Sequence, residues 1–334
     1  MKLAIIGCGY WGPNYVRIFN ELPNTSVKYA VDLSEEKLAK IREKFPSVKT
    51  TGNLEEVLGD EEVEAVVVAT PASTHFGLVK KCLDAGKNVL AEKPLTMNSM
   101  EASELGAIAR DRRKILMVGN TFEYNKAVMK LKEYVEKKET GEIYYIYCSR
   151  TGLGPIRKDA DVIWDLVAHD VSILMYLLRE TPKSVNARGS DYLQNGLNDV
   201  VFATLEFPDK VIANIHASWL DPQKIRKVTI VGSKKMLVFD DTKPTGKITL
   251  FNKRAEKHEY GSFGEFQVLV QSEGEVVPEL APFEPLKDEC AEFVSCVEER
   301  RNPRTDAEES AQIIRVLEAM ERSIRNNGRE EVIE

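Results

Sequence analysis

Lys2-Leu3-Ala4-Ile5-Ile6-Gly7-Cys8-Gly9-Tyr10-Trp11-Gly12 sets the reading of this chain, because a short apolar run passes directly into glycines spaced G-x-G-x-x-G. A run of this kind suits a strand covered on both faces. The glycines have separate tasks in a strand-to-helix turn: the first permits the tight bend, the second lets backbone approach a pyrophosphate, and the third lets helix and strand pack closely. The N-terminus of the following helix then offers free N–H groups and a positive dipole end to phosphates. A second apolar run ends at Asp32, twenty residues past Gly12. A carboxylate there can accept hydrogen bonds from adenosine ribose hydroxyls and repels a 2′-phosphate, and neither Leu33 nor Ser34 neutralises one. The expected cofactor is therefore NAD rather than NADP. Asp32 can also cap the helix that begins after Ser34.

Outward from this turn, apolar runs alternate with amphipathic segments. Strands are expected at Lys2 to Gly7, Val27 to Asp32, Ala65 to Thr70, Asn88 to Glu92 and Ile115 to Gly119, and helices near Tyr10 to Leu22, Glu35 to Glu43, Thr74 to Ala85 and Ser99 to Arg110. This is the pattern of βαβ units feeding a doubly wound parallel sheet. Pro71 breaks the third of these strands, and His75 begins the next helix, where the helix end favours a neutral imidazole. The fourth ends at Glu92-Lys93-Pro94. A residue before proline is pushed towards an extended backbone, so Lys93 projects its ammonium from the carboxyl edge of the sheet, where a cation can stabilise a developing oxyanion. The expected cofactor-binding residues are Gly7, Gly9, Tyr10, Trp11, Gly12, Asp32, Ala69, Thr70, Pro71, His75, Glu92 and Lys93.

After Gly119 the pattern changes. A helix at Lys126 to Lys137 precedes the alternating strand IYYIYCSR, a loop holding Gly152, Gly154 and Pro155, and the apolar helix IWDLVAHDVSILMYLL. From Ser184 to about Val270, alternating segments separated by turn residues read as an antiparallel meander, and helices follow near Leu286 to Glu299 and Asp306 to Asn326. The expected architecture is α/β: an NAD-binding Rossmann domain over residues 1–120, and over 121–334 an α+β substrate and oligomerisation domain with a large, mostly antiparallel sheet.

The apolar helix carries Asp165, His169 and Asp170, and charge on a helix apolar on nearly all sides needs a reason. Asp165 and His169 are four apart and share a face. A carboxylate beside an imidazole raises its basicity and fixes its tautomer, as a general base requires, although a core His satisfied by an Asp looks the same in sequence. No metal is expected, because the four histidines (His75, His169, His216, His258) are dispersed. No G-x-S-x-G elbow supports a hydrolase.

The chain has 334 residues, enough for two cores, with 43% hydrophobic and 30% charged residues. A net charge of −7 with interspersed Lys and Arg argues against nucleic acid as a partner. No apolar run approaches membrane-spanning length and no signal segment is visible, so a cytoplasmic protein without membrane association is expected. The five scattered cysteines suit a reducing compartment.

GCGYWG, TPASTH, AEKPL and WDLVAHD, in this order, resemble the Gfo/Idh/MocA oxidoreductases over essentially the whole chain. The resemblance implies Lys93, Asp165 and His169 as catalytic residues beside the nicotinamide, and a C-terminal sheet whose open face forms subunit contacts in a homodimer or homotetramer. GLGPIRKDADVIWDLVAHD is similar to the nucleotide-sugar branch, which implies oxidation of a secondary hydroxyl, C3 of UDP-N-acetylglucosamine or its uronic acid, in surface polysaccharide biosynthesis. Lys93, Tyr124, Arg157, Asp165 and His169 are then the substrate-binding set, with the Arg157 fork matched to a diphosphate or carboxylate. Asn120 and Glu123 depart from common patterns of the family. Oxidation of inositol or another cyclic polyol or free sugar, and a non-catalytic NAD sensor, are the alternatives.

Overall fold

The computed structural model describes residues 1–154, 156–158, 160–259 and 266–333; Pro155 of the expected loop lies outside them. The chain divides into two compact units, one of residues 1–124 and 284–314, the other of residues 125–283 and 315–334.

In the first unit, β1 (Lys2–Ile6), β2 (Ser26–Val31), β3 (Lys49–Thr51), β4 (Ala65–Val68), β5 (Asn88–Glu92) and β6 (Leu116–Gly119) form a sheet of order β3-β2-β1-β4-β5-β6. Every pairing in it is parallel. The connecting helices are α1 (Gly12–Glu21), α2 (Glu35–Lys44), α3 (Leu54–Leu58), α4 (His75–Asp84) and α5 (Ser99–Arg112). Leu3, Ile5, Ala65, Val67 and Leu90 are fully buried, as expected for strands sandwiched between helices. The strand order reverses between β1 and β4, which places a ligand crevice at their carboxyl ends. Two local differences from the sequence reading have simple causes. Helix α1 begins at Gly12 rather than Tyr10, because Tyr10 and Trp11 belong to the turn; β3 and α3 are too short to show a period.

In the second unit, α6 (Lys126–Glu136) and a helix made of a π turn (Ile163–Val167) continued by α7 (Ala168–Leu178) accompany a nine-stranded sheet. Its strands are β7 (Ile143–Thr151), β8 (Ser184–Ser190), β9 (Val200–Glu206), β10 (Ile212–Ser218), β11 (Ile225–Gly232), β12 (Met236–Asp240), β13 (Ile248–Glu259), β14 (Phe266–Val276) and β15 (Glu331–Val332), in the order β14-β13-β12-β11-β7-β10-β9-β8-β15. The β7–β10 pair is parallel, and the remaining pairs are antiparallel. Alternation sorts the faces: Ile146, Cys148, Ala213, Ile215, Val228 and Ile230 are buried, while Tyr145, Tyr147, Phe202 and Ile212 are exposed.

The sequence places α8 (Pro285–Glu299) in the second domain, but this helix closes the core of the first unit. Leu286, Cys290, Phe293 and Val294 join the cluster around Leu3, Tyr15 and Phe19, and the Phe19 and Phe293 rings meet edge to face with centroids 6.5 Å apart. Arg17 forms an ion pair with Glu284 just ahead of the helix. The apolar stripe of α8 needs a core, and sequence alone does not say which one. Helix α9 (Ala307–Arg325) follows. Phe293→Ala is expected to destabilise the first unit by about 3–5 kcal/mol, measured by denaturant unfolding.

Candidate active site

The glycine turn is fixed by collisions and one carboxylate. Gly7 has φ +98°, and a Cβ there would strike the Ala69 carbonyl; a Cβ on Gly12 would strike the Gly7 carbonyl. Gly9 differs, since nothing lies within 4 Å of its would-be Cβ. Open space there, next to a helix with no side-chain cap at Trp11, fits a pyrophosphate on the first N–H groups of α1. Tyr10 and Trp11 are exposed beside it. The Asp32 carboxylate accepts from the Cys8 and Ser34 backbone N–H groups, each at 2.8 Å, and so ties the glycine turn to the end of β2. These two bonds, with Lys37 at 3.4 Å, outweigh its partial burial and hold it below the usual carboxylate range. The cap of α2 is Ser34 rather than Asp32.

Ala69, Thr70 and Pro71 follow β4 at the same edge of the sheet, where the Ala69 N–H donates to the Ile6 carbonyl at 2.8 Å and the Thr70 and Thr74 hydroxyls lie 2.7 Å apart. His75 needs a correction. Its ring is buried, with Nδ1 2.9 Å from the Pro94 carbonyl and Nε2 2.9 Å from the Thr70 carbonyl. Burial holds its pKa down against those carbonyls, so the neutral ring donates to one of them and braces the loops after β4 and β5. Both ring nitrogens are thus engaged with the chain's own backbone rather than left open to a ligand.

Beneath half-buried Lys93 lies a group of acids that the sequence reading did not connect. The Tyr15 hydroxyl lies 2.8 Å from Glu92 and 3.3 Å from Glu289, and the Lys93 backbone N–H donates to Glu92 at 3.3 Å. One phenol proton cannot satisfy two carboxylates. Burial, with the charge of Glu92, pushes Glu289 up to about 8, so it carries its own proton at neutral pH. Gly119 borders the cluster: a Cβ there would lie in ordinary contact, 3.4 Å from the Glu289 carboxylate and 3.5 Å from the Tyr15 hydroxyl. The expected substrate residue Tyr124 is likewise corrected: it is a core residue, 3% exposed, whose hydroxyl meets Thr305 at 3.0 Å.

In the second unit, the Asp165 carboxylate is held from two sides, by Arg157 Nη1 at 3.2 Å and by Trp219 Nε1 at 3.2 Å. Arg157, expected to meet substrate, is thus engaged with Asp165; Trp219, at the end of β10, was not anticipated. Half-buried His169 follows one turn later, across the π turn. Such turns are frequent at functional sites, and this one departs from the uniform α-helix that the sequence implies. Asp170 is buried against Arg150, with Nε and Nη2 at 3.1 and 2.8 Å from its Oδ1. Among the described residues, no three His, Cys, Asp or Glu side chains gather as metal ligands, and no helix is long and apolar enough to cross a membrane.

The model of an oxidoreductase family with an NAD-binding Rossmann fold, GFO_IDH_MocA, matches residues 1–120, and the GFO/IDH/MocA C-terminal domain model matches residues 128–238. The UDP-N-acetylglucosamine 3-dehydrogenase of Acidithiobacillus ferrooxidans is 27% identical over 69% of this chain and 71% of its own length. The myo-inositol 2-dehydrogenase of Thermotoga maritima is 25% identical over 73% of this chain and 77% of its own. GenD2 from gentamicin A biosynthesis, solved in complex with NAD, superposes with a TM-score of 0.84 at 24% identity, covering 100% of this chain and 96% of that one.

The glycines separate two effects. Gly12→Ala is expected to destabilise the fold by about 1–3 kcal/mol through overpacking. Gly9→Ala should leave unfolding unchanged and weaken NAD binding roughly tenfold, or about 1.4 kcal/mol, by calorimetry. Glu289 supplies a pH test. Between its unfolded value of 4.5 and about 8, the folded state keeps a proton that the unfolded state has released, so wild-type stability falls as pH rises. Glu289→Gln removes that slope, and its stability relative to wild type should climb from pH 5 to 8 by up to about 1.4 kcal/mol per unit.

Proposed function

The chain belongs to the Gfo/Idh/MocA family of NAD-binding oxidoreductases, and from that premise we propose that it oxidises a secondary hydroxyl of a nucleotide sugar, C3 of UDP-N-acetylglucosamine or its uronic acid. The observation that carries the reading is the clamped carboxylate of Asp165, fixed by Arg157 and Trp219 one turn from His169. A carboxylate held on two sides is fixed in place, which suits the orienting partner of a general base four residues on. In this reading His169 takes the hydroxyl proton on a ring nitrogen, Asp165 orients it, and the Lys93 ammonium stabilises the oxygen as negative charge develops. Bound NAD supplies the hydride acceptor. Gly7, Gly9, Gly12 and Asp32 hold the dinucleotide, and Thr70, Pro71 and Glu92 shape the sheet edge around it.

The 3-dehydrogenase relative and the loop sequence before the π turn favour a nucleotide sugar. The inositol dehydrogenase relative supports a second reading, oxidation of a cyclic polyol. A non-catalytic sensor has no use for Lys93, Asp165 and His169 together. The exposed outer face of the second sheet, with Tyr145, Tyr147, Phe202 and Ile212, fits a second copy of this chain, giving a homodimer or homotetramer.

NAD reduction assayed with UDP-N-acetylglucosamine, its uronic acid, myo-inositol and free sugars tests the reading. Turnover of a nucleotide sugar is expected, with His169→Ala losing roughly 100- to 10,000-fold in rate while still binding NAD. Turnover of inositol alone selects the polyol reading, and full activity in His169→Ala removes the role given to that residue. Light scattering should report twice or four times the protomer mass; a monomer contradicts the outer-face contact.

A further inference from the structure

The buried face of the nine-stranded sheet is apolar along β7 and β11, through Ile146, Cys148, Val228 and Ile230, and changes character at one end. There Arg150 of β7 and Arg226 of β11 stand directly opposite each other. Like charges in that relation repel. Arg150 is neutralised by Asp170, in a pair whose side chains are only 5% and 1% exposed. Arg226 has no such partner: it is half-buried, and its guanidinium makes no hydrogen bond or ion pair with any described residue. Burial, reinforced by Arg150, pushes its pKa down, and the carboxylates of Asp241, Asp165 and Asp170 act on it only through space. Asp241 is itself engaged with Lys247 at 3.0 Å.

A guanidinium carries five donors and no acceptor, and holding one half-buried beside a second cation without a bonded anion is unfavourable. The residue stands where an anion would be useful. Thr151 pairs with Ile225 on one side and Ser218 on the other, so the starts of β11 and of the segment carrying Trp219 lie at one end of the sheet. Trp219 holds Asp165 there, and Asp170, the partner of Arg150, is adjacent to His169 in sequence.

We propose that Arg226, backed by Arg150, binds an anionic group of the sugar substrate, a carboxylate or a phosphoryl group, and so selects charged over neutral sugars. The inference rests on the dehydrogenase reading for its substrate class. It moves the anion-binding role away from Arg157, which is engaged with Asp165. Arg226 is a specificity-determining residue and takes no part in proton or hydride movement.

The test compares wild type with Arg226→Met and Arg226→Lys. With UDP-N-acetylglucosaminuronate, Arg226→Met should raise KM roughly 10- to 100-fold, the effect of losing a charge-assisted hydrogen bond, with kcat changed less than about threefold; the Lys variant should recover part of the loss. KM for myo-inositol or a free neutral sugar should not move. If UDP-N-acetylglucosamine suffers equally, the group bound is phosphoryl; if only the uronate suffers, it is the carboxylate. Melting temperature should hold or rise in Arg226→Met, because a like-charge contact is relieved, whereas a structural Arg would lower it. Unchanged KM for the anionic substrates, an equal loss with neutral ones, or wild-type turnover of neutral sugars alone overturns the proposal and leaves the dehydrogenase reading standing. Calorimetric binding of UDP-N-acetylglucosaminuronate that depends on Arg226, in a protein that turns over no sugar, does the reverse.

Discussion

The approach of the Gly12 backbone to the Gly7 carbonyl is the constraint on which the first unit depends. No side-chain carbon fits between them, and the same is true of Gly7 against Ala69. Those contacts seat α1 directly on the ends of β1 and β4, the place where the strand order reverses. The Asp32 carboxylate then fastens the turn to β2 through the Cys8 N–H. Once the turn is fixed, the loops after β4 and β5 are set beside it, and buried His75 braces them by spanning the Thr70 and Pro94 carbonyls. Lys93 is thereby placed by backbone, while the proton that Glu289 keeps, beside the Tyr15 hydroxyl and Glu92, limits the negative charge of that cluster.

The second unit follows a different rule. Along β7 and β11 the buried face of its sheet is apolar and becomes charged at one end, where among the described residues Arg150 is answered by Asp170, and Asp165 by Arg157 and Trp219. Buried ion pairs add little net stability, and their use is to fix geometry. The Asp165 carboxylate, only partly buried, is likewise fixed by Arg157 and Trp219, four residues before His169. The π turn (Ile163–Val167) carries Asp165, and His169 follows in the first turn of α7.

Much of this was readable in the sequence because it is local. Glycine spacing, the run of parallel strands, Asp32 and the alternation of the later strands all depend on residues within a few positions of one another. Contacts between distant segments were not readable. Helix α8 has an ordinary amphipathic stripe, and nothing in it names the core it joins. Glu289 lies almost two hundred positions from Glu92, so their sharing of Tyr15 leaves no spacing signal. The burial of Tyr124 and His75 was unreadable for a related reason: a polar aromatic or an imidazole near a strand end serves a core or a ligand equally well until burial is known. The Arg150–Arg226 pairing is a matter of register, which sequence alone does not fix.

In the proposed dehydrogenation Lys93 and His169 act on one reacting carbon, and a double-mutant cycle measures that most directly. Single-turnover hydride transfer is compared in wild type, Lys93→Met, His169→Ala and the double variant. Groups acting as a unit lose far less together than the product of their separate losses, so the double variant is predicted to be about as slow as the slower single one. Losses that simply multiply would mean that the two side chains work independently, and would contradict the account.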